Sequence, residues 1–227
     1  MKRVVGRKMM RDQTELYSIS RIEPTPVDIA SNPNMRGGGF RFHWASDIID
    51  ALQSEGISCM DYLDVGTYNG VMAFMVSNKP TASVSGTIRV DAVEAHKQSF
   101  EAANTTAMEL VKLGRHINIY NVRFEDYETD KMYDMISAFE VIEHTNDPLF
   151  CIEKMYDLLH IGGHLLLTVP EQHSVFGLCD KNELHYWTSS VQSLVFVFND
   201  DRKWRIKQII EQGGLIHLFV QKRTYME

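Results

Sequence analysis

From residue 59 onward the chain alternates short apolar runs with stretches of helical periodicity, and this alternation restricts the fold more than anything else in the sequence. Residues 59–65 (CMDYLDV), 87–94 (TIRVDAVE), 117–122 (INIYNV), 133–138 (YDMISA) and 164–169 (HLLLTV) read as strands. Helical stretches cover 96–113, closed by Gly114, and roughly 148–159, opened by Asn146-Asp147-Pro148 and stopped by Gly162-Gly163. An earlier helix is expected where Trp44, Ile48, Ile49 and Leu52 recur before Gly56. Strands separated by helices pair in parallel, because a crossover helix returns the chain to the same edge. The end of the chain breaks the pattern. Residues 204–211 and 215–222 are strands joined only by Gln212-Gly213-Gly214, and so short a link joins antiparallel neighbours. The expected fold is therefore α/β, a doubly wound and mostly parallel sheet with helices on both faces and one antiparallel strand near its edge.

A chain of 227 residues, 44% of them hydrophobic, suits one large domain. Cys59, Cys151 and Cys179 are widely spaced and odd in number, which argues against a disulfide framework and for a reducing cytoplasm. No apolar run approaches the ~18 residues of a membrane span, and the basic start lacks the apolar core of a secretory signal. The net charge of −7 is unevenly spread: residues 1–43 carry eight Lys/Arg and four Asp/Glu, leaving 15 basic and 26 acidic side chains for the rest. An acidic body repels a nucleic-acid backbone. Residues 1–40 lack periodicity and hold Pro24, Pro26, Pro33 and the run Arg36-Gly37-Gly38-Gly39. The expected division is an irregular arm over 1–43 and one α/β domain over 44–227.

Open α/β sheets bind ligands at the carboxyl ends of their strands. Four segments fall there. LDVGTYNG (63–70) ends the first strand, with Gly66 for a tight turn, Gly70 to start a helix and Asp64 to accept hydrogen bonds from amides or an ammonium. The spacing is not that of a dinucleotide loop. Glu94 ends the second strand, where a carboxylate can hold two ribose hydroxyls; Asp91 is its rival but should point to the other face. Phe124-Glu125-Asp126 follows the third strand, as either an adenine-flanking turn or a core aromatic beside exposed acids. AFEVIEHTNDP (138–148) follows the fourth, with Glu140, Glu143 and His144 within five residues.

These segments, in this order, resemble the class I S-adenosylmethionine-dependent methyltransferases over roughly residues 44–225, together with IGGHLLLTVPE and the closing strand pair. The resemblance implies a Rossmann-like sheet of seven strands, the last antiparallel. It also implies S-adenosyl-L-methionine as cofactor, with Asp64, Gly66, Thr67 and Gly70 at its methionine end and Glu94 on its ribose. Phe124 and Glu125 would flank the adenine, and Glu140 would line the path to the methyl group. One departure is Tyr68, where the family loop usually has glycine.

The E-x-x-E-H segment admits three readings. It is a plain loop, or His144 is a general base, or Glu140, Glu143 and His144 ligate a divalent cation such as Mg²⁺. With LHYWT (184–188), the segment resembles two metal-assisted branches, the ubiquinone-pathway O-methyltransferases and the small-RNA 2′-O-methyltransferases; His185 would then be the fourth ligand. Catalytic candidates are His144, His173 and Glu143, while His96, His116, His160, His164 and His217 read as surface or packing residues. The leading expectation is methyl transfer to an oxygen of a small molecule or sugar. RNA 2′-O-methylation, a non-catalytic cofactor-binding subunit and a nicotinamide dehydrogenase are the alternatives. Residues 30–43 are expected to cover the acceptor pocket.

Overall fold

The computed structural model describes residues 19–20, 39–57, 59–81, 87–173 and 186–223. Within them lie strands β1 (Ile19–Ser20), β2 (Asp61–Val65), β3 (Arg89–Val93), β4 (Ile117–Tyr120), β5 (Tyr133–Phe139), β6 (Leu159–Pro170), β7 (Trp204–Gln212) and β8 (Leu215–Lys222). The helices are α1 (Gly39–Ser54), α2 (Val71–Ser77), α3 (Lys97–Lys112), α4 (Pro148–Leu158) and α5 (Val191–Phe198). One sheet runs in the order β1-β7-β8-β6-β5-β2-β3-β4. Every neighbouring pair is parallel except those made by β8, which lies antiparallel between β6 and β7. Without the two-residue β1 this is the expected seven-stranded, doubly wound sheet.

Helices cover both faces. Leu63, Val65, Ile136, Leu165, Leu167 and Leu218 turn to one face and pack with Ile152 and Met155 of α4 and Leu194 and Phe198 of α5. Tyr62, Val90, Met135, Leu166 and Phe219 turn to the other and meet Trp44 and Ile49 of α1, Ala73 and Val76 of α2 and Ala107 of α3. Successive strand residues alternate between the two cores because the pleat has a period of two. The apolar runs of β5 and β6 are continuous for the same reason, since both faces are buried.

Three local features have physical causes. Gly162-Gly163 does not end α4; the helix stops at Leu158 and β6 already starts at Leu159. Gly162 has φ 81° in a register shift opposite Tyr133/Met135, so the glycines serve a bulge rather than a helix stop. VQSLVFVF, β-branched and apolar, is nonetheless the helix α5. The Ser190 and Ser193 hydroxyls cap each other's backbone reciprocally, and Val191, Leu194 and Phe198 fall on one buried stripe. Finally, α1 begins at Gly39, ahead of the periodicity that starts at Trp44, and so takes in residues assigned by sequence to the arm.

Candidate cofactor and acceptor site

The loop after β2 is shaped by its backbone. Gly66 has φ 66°, and a Cβ there would stand 2.4 Å from Val141 Cγ2. The glycine thus permits both the turn and the close approach of the Val141 segment after β5. The Gly66 and Thr67 amides both donate to Val93 O, at 2.9 and 3.0 Å. Gly70, at φ 84°, caps α2. Tyr68 holds φ 52°, which costs a side-chain-bearing residue on the order of 1–2 kcal/mol and gives the physical reason for glycine at this place in the family.

Asp64, on β2, is 2% exposed. Its Oδ1 accepts from Ser137 Oγ at 2.5 Å, while Oδ2 has no partner at good hydrogen-bond geometry among the described residues, the Thr67 hydroxyl and Ala73 amide lying nearby. Burial raises its pKa to about 6, against the Ser137 hydroxyl, the Thr67 hydroxyl and the Ala73 amide, which lower it. An orphaned carboxylate oxygen of this kind fits an ammonium. Glu94 follows β3 and accepts from Tyr68 N through Oε2 and from His96 N through Oε1, each at 2.7 Å. It ties the glycine loop to the start of α3 and keeps lone pairs for further donors. Asp91 is consumed elsewhere: Lys131 Nζ (2.8 Å), Tyr133 Oη (2.9 Å) and Asn118 Nδ2 (2.9 Å) all donate to it.

Phe124 and Glu125 lie on a short 3-10 turn. Phe124 is 4% exposed and belongs to the core, with Lys154 Nζ 5.3 Å from its ring centre. The same lysine donates to Glu125 O, and Arg123 donates to the Glu125 carboxylate at 2.5 Å.

Glu140 also stands at positive φ, 55°, and its amide donates to Thr168 O at 2.9 Å. Its carboxylate is ion-paired with Arg41 from the first turn of α1. Burial lowers the Arg41 pKa, and the charges of Glu143 and Asp64 raise it again. The Arg41 guanidinium thus pairs with Glu140 and lies within electrostatic reach of Glu143 and Asp64, a placement that sequence reasoning missed. Its only signal was a basic residue between Phe40 and Phe42. Glu143 is buried and His144 exposed on the next short turn. Tyr186 N donates to Glu143 O (2.8 Å) and Trp187 Nε1 to Thr145 O (2.9 Å), so the 186–187 segment packs on this turn. His185 lies outside the described residues. Among the described residues no three His, Cys, Asp or Glu side chains converge as metal ligands. His173 is exposed just beyond β6, its amide bonded to Glu171 Oε2 at 2.7 Å.

His96, His116 and His160 are exposed, but His164 and His217 are 2% and 0% exposed. His217 faces Thr168 directly across the β6–β8 pair. Its ring nitrogens, Thr168 Oγ1 and the side-chain amide of Gln212 lack a partner at good hydrogen-bond geometry among the described residues, although the Gln212 backbone lies close enough to His217 to act on its pKa. Each such buried polar group costs roughly 1–3 kcal/mol. Sequence offers no signal for this, because a histidine in an apolar strand looks the same whether packed or poised.

A seven-stranded sheet of this order, an orphaned acid before a glycine loop and a carboxylate clamp after the second strand define a class I S-adenosylmethionine-dependent methyltransferase. The comparisons agree. A family model described as a methyltransferase domain matches residues 38–220, and the chain belongs to that family. The chain is 29% identical over 118 residues to the ubiquinone biosynthesis O-methyltransferase of Vibrio vulnificus (strain YJ016), covering 51% of this chain and 46% of that one. To the enzyme of the same name from Rickettsia akari (strain Hartford) it is 32% identical over 140 residues, covering 61% and 51%. The chain thus spans about half the length of these curated relatives. In fold it resembles the plantazolicin methyltransferase BpumL, solved with a triazolic desmethylPZN analog and SAH, at TM-score 0.66, 13% identity and coverage of 86% and 90%. It also resembles the N-methyltransferase NodS of Bradyrhizobium japonicum WM9, solved with SAH, at TM-score 0.56, 12% identity and coverage of 80% and 87%. Among the described residues no helix is long and apolar enough to cross a membrane.

Proposed function

We propose that this chain transfers a methyl group from S-adenosyl-L-methionine to an oxygen of a small-molecule acceptor, in the cytoplasm. The observation that carries the reading is the clamp of Glu94 on the Tyr68 amide, which fixes the glycine loop beside the orphaned Asp64 oxygen. Asp64 takes the ammonium of the cofactor; Gly66, Thr67 and Gly70 keep its methionine end free of side chains. Glu94 takes the ribose hydroxyls, and Phe124 and Glu125 border the adenine, Phe124 only by its edge. Glu140 lines the methyl path, its charge balanced by Arg41. The cofactor supplies a sulfonium methyl that is already electrophilic, so the protein's task is alignment and removal of the acceptor's proton. His144 and His173, both exposed beyond the carboxyl ends of β5 and β6, are the candidate bases, with Glu143 buried beside the first. The choice of oxygen is supported by the curated O-methyltransferase relatives, and the two separate buried thiols Cys59 and Cys151 support a reducing compartment.

A metal-assisted form of the same reaction has one observation in its favour, the Tyr186–Glu143 bond that brings the residue after His185 to the acidic turn. Against it, Glu140 is already paired with Arg41. The roles above need no metal. The reading is tested by calorimetry with S-adenosylhomocysteine. Glu94→Ala is expected to weaken binding by a few kcal/mol, as loss of an ionised acceptor should. Unchanged affinity in a folded Glu94→Ala variant would refute the assignment. Turnover that survives exhaustive chelation eliminates the metal-assisted form.

A further inference from the structure

One helix joins two turns at the carboxyl edge of the sheet. α4 follows the short turn Ile142–His144 in the chain, and its Lys154 reaches back to the turn Phe124–Asp126. The Lys154 ammonium donates to Glu125 O at 2.9 Å and lies 5.3 Å from the Phe124 ring centre. A second ring lies beside it. Phe150, one helical turn earlier on α4, is 48% exposed, and its ring centre is 5.9 Å from the same ammonium. Residues four apart on a helix share a face, which accounts for an aromatic ring left half in solvent. The acids nearest in sequence are engaged with other cations, Glu125 with Arg123 at 2.5 Å and Glu153 with Lys203 at 2.6 Å. The Lys154 charge is directed instead at a main-chain carbonyl between two aromatic rings.

The turn gains its orientation from this hold. The backbone bonds that close it run from Asp126 N to Arg123 O at 3.0 Å and from Tyr127 N to Phe124 O at 3.2 Å, and a single 3-10 turn is a weak unit by itself. α4 is a firm support, with Cys151, Ile152, Met155 and Tyr156 buried and the Asp147 side chain capping the Phe150 amide at 3.0 Å. Burial of the turn does not depend on the lysine, because the Phe124 ring already belongs to the core. What the lysine bond settles is the direction of the Glu125 carbonyl.

We propose that Lys154 is a positioning residue for the base of the cofactor, fixing the Phe124-Glu125 turn in the orientation that selects a 6-aminopurine. The proposal rests on the reading that this turn borders the adenine. Adenine presents a donor, its 6-amino group, next to an acceptor, N1; a 6-oxopurine presents the same two in exchanged places. A turn whose peptides can rotate offers a carbonyl or an amide to the base and so suits either pattern. By holding Glu125 O, Lys154 withholds that carbonyl from the base and leaves the turn one arrangement of donors and acceptors. Selectivity then comes from groups held in place by a rigid helix rather than from added contacts.

The test measures, by calorimetry on the full chain, the affinities for S-adenosylhomocysteine and for S-inosylhomocysteine, which differ only in the base. The unaltered chain is expected to bind the adenine compound at least roughly tenfold more tightly, since the exchanged edge leaves hydrogen-bonding groups unpaired. In Lys154→Met, which keeps the apolar stem, that preference should fall at least about threefold. Lys154→Leu carries the test should Lys154→Met fail to fold, and urea midpoints record any loss of stability separately. A preference that is unchanged in the folded variant, whatever the midpoint does, makes Lys154 a staple for the fold and overturns the positioning role while leaving the cofactor reading intact. Equal binding of both compounds by the unaltered chain would overturn the adenine reading of the turn and the proposal with it. Absence of S-adenosylhomocysteine binding by the unaltered chain would overturn the methyl-transfer reading as well.

Discussion

Asp64 shows how one residue can couple the cofactor to pH. Its pKa stands at about 6 because burial penalises the charge more than the Ser137 hydroxyl compensates. The ionised form is the one that attracts an ammonium. As pH falls from 7 to 5 the ionised fraction drops on the order of tenfold, and so should the affinity for S-adenosylhomocysteine. Calorimetry at the two pH values, with Asp64→Asn as a flat control, reads this directly; equal affinity at both would remove Asp64 from the methionine end. Gly66 makes a complementary point. LDVGTYNG marks it as a turn glycine, yet the contact that forbids a Cβ comes from Val141, 75 positions away in the chain. Sequence could point to the glycine but not to the neighbour that requires it.

Among the elements, α5 forms against the bias of its composition. Its β-branched, aromatic composition favours a strand, and the Ser190–Ser193 capping box with one buried stripe overrides that preference. Ser190→Ala should therefore cost about 1 kcal/mol in chemical denaturation, the usual loss for an N-cap. A change below a few tenths would mean that tertiary packing alone holds the helix. The start of α1 is a comparable case. Gly39 through His43 show no periodicity of their own, because their contacts are set by what lies beneath them: Glu140 under Arg41, His217 under Phe40, Phe139 under Phe42.

Across the whole molecule, buried titratable groups pull stability in opposite directions. His164 and His217 are both lowered by burial to about 4, against about 6.5 in the unfolded chain. Between pH 6.5 and 4 the unfolded state binds more protons at these two positions, so their contribution to stability falls as pH falls through that window. Asp64, raised by burial, binds a proton more readily when folded between about pH 4 and 6 and acts the other way. With two groups against one, net stability should drop by a few kcal/mol on acidification from pH 6.5 to 4. His164→Phe should flatten the curve in urea titrations at several pH values; a parallel curve would show that the imidazole is already charged in the folded chain.

The sheet is legible in the sequence. Alternating strands and helices, apolar runs with a pleat period of two, the short glycine link between β7 and β8 and the glycine loop are local or nearly local signals, and chain connectivity leaves few ways to assemble them. The sequence also marked Asp64, Glu94 and Glu140 as residues at strand ends. What those residues meet depends on the folded packing: Glu94 closing on the Tyr68 amide, Asp91 spent on Lys131 and Tyr133, Phe124 drawn into the core, Arg41 paired with Glu140, and His217 facing Thr168 beneath Phe40 and Trp44. The reason is that propensity and periodicity act over a few residues. Burial, charge pairing and unsatisfied polar groups depend on side chains brought together from distant parts of the chain, and those partners exist only once the sheet has formed.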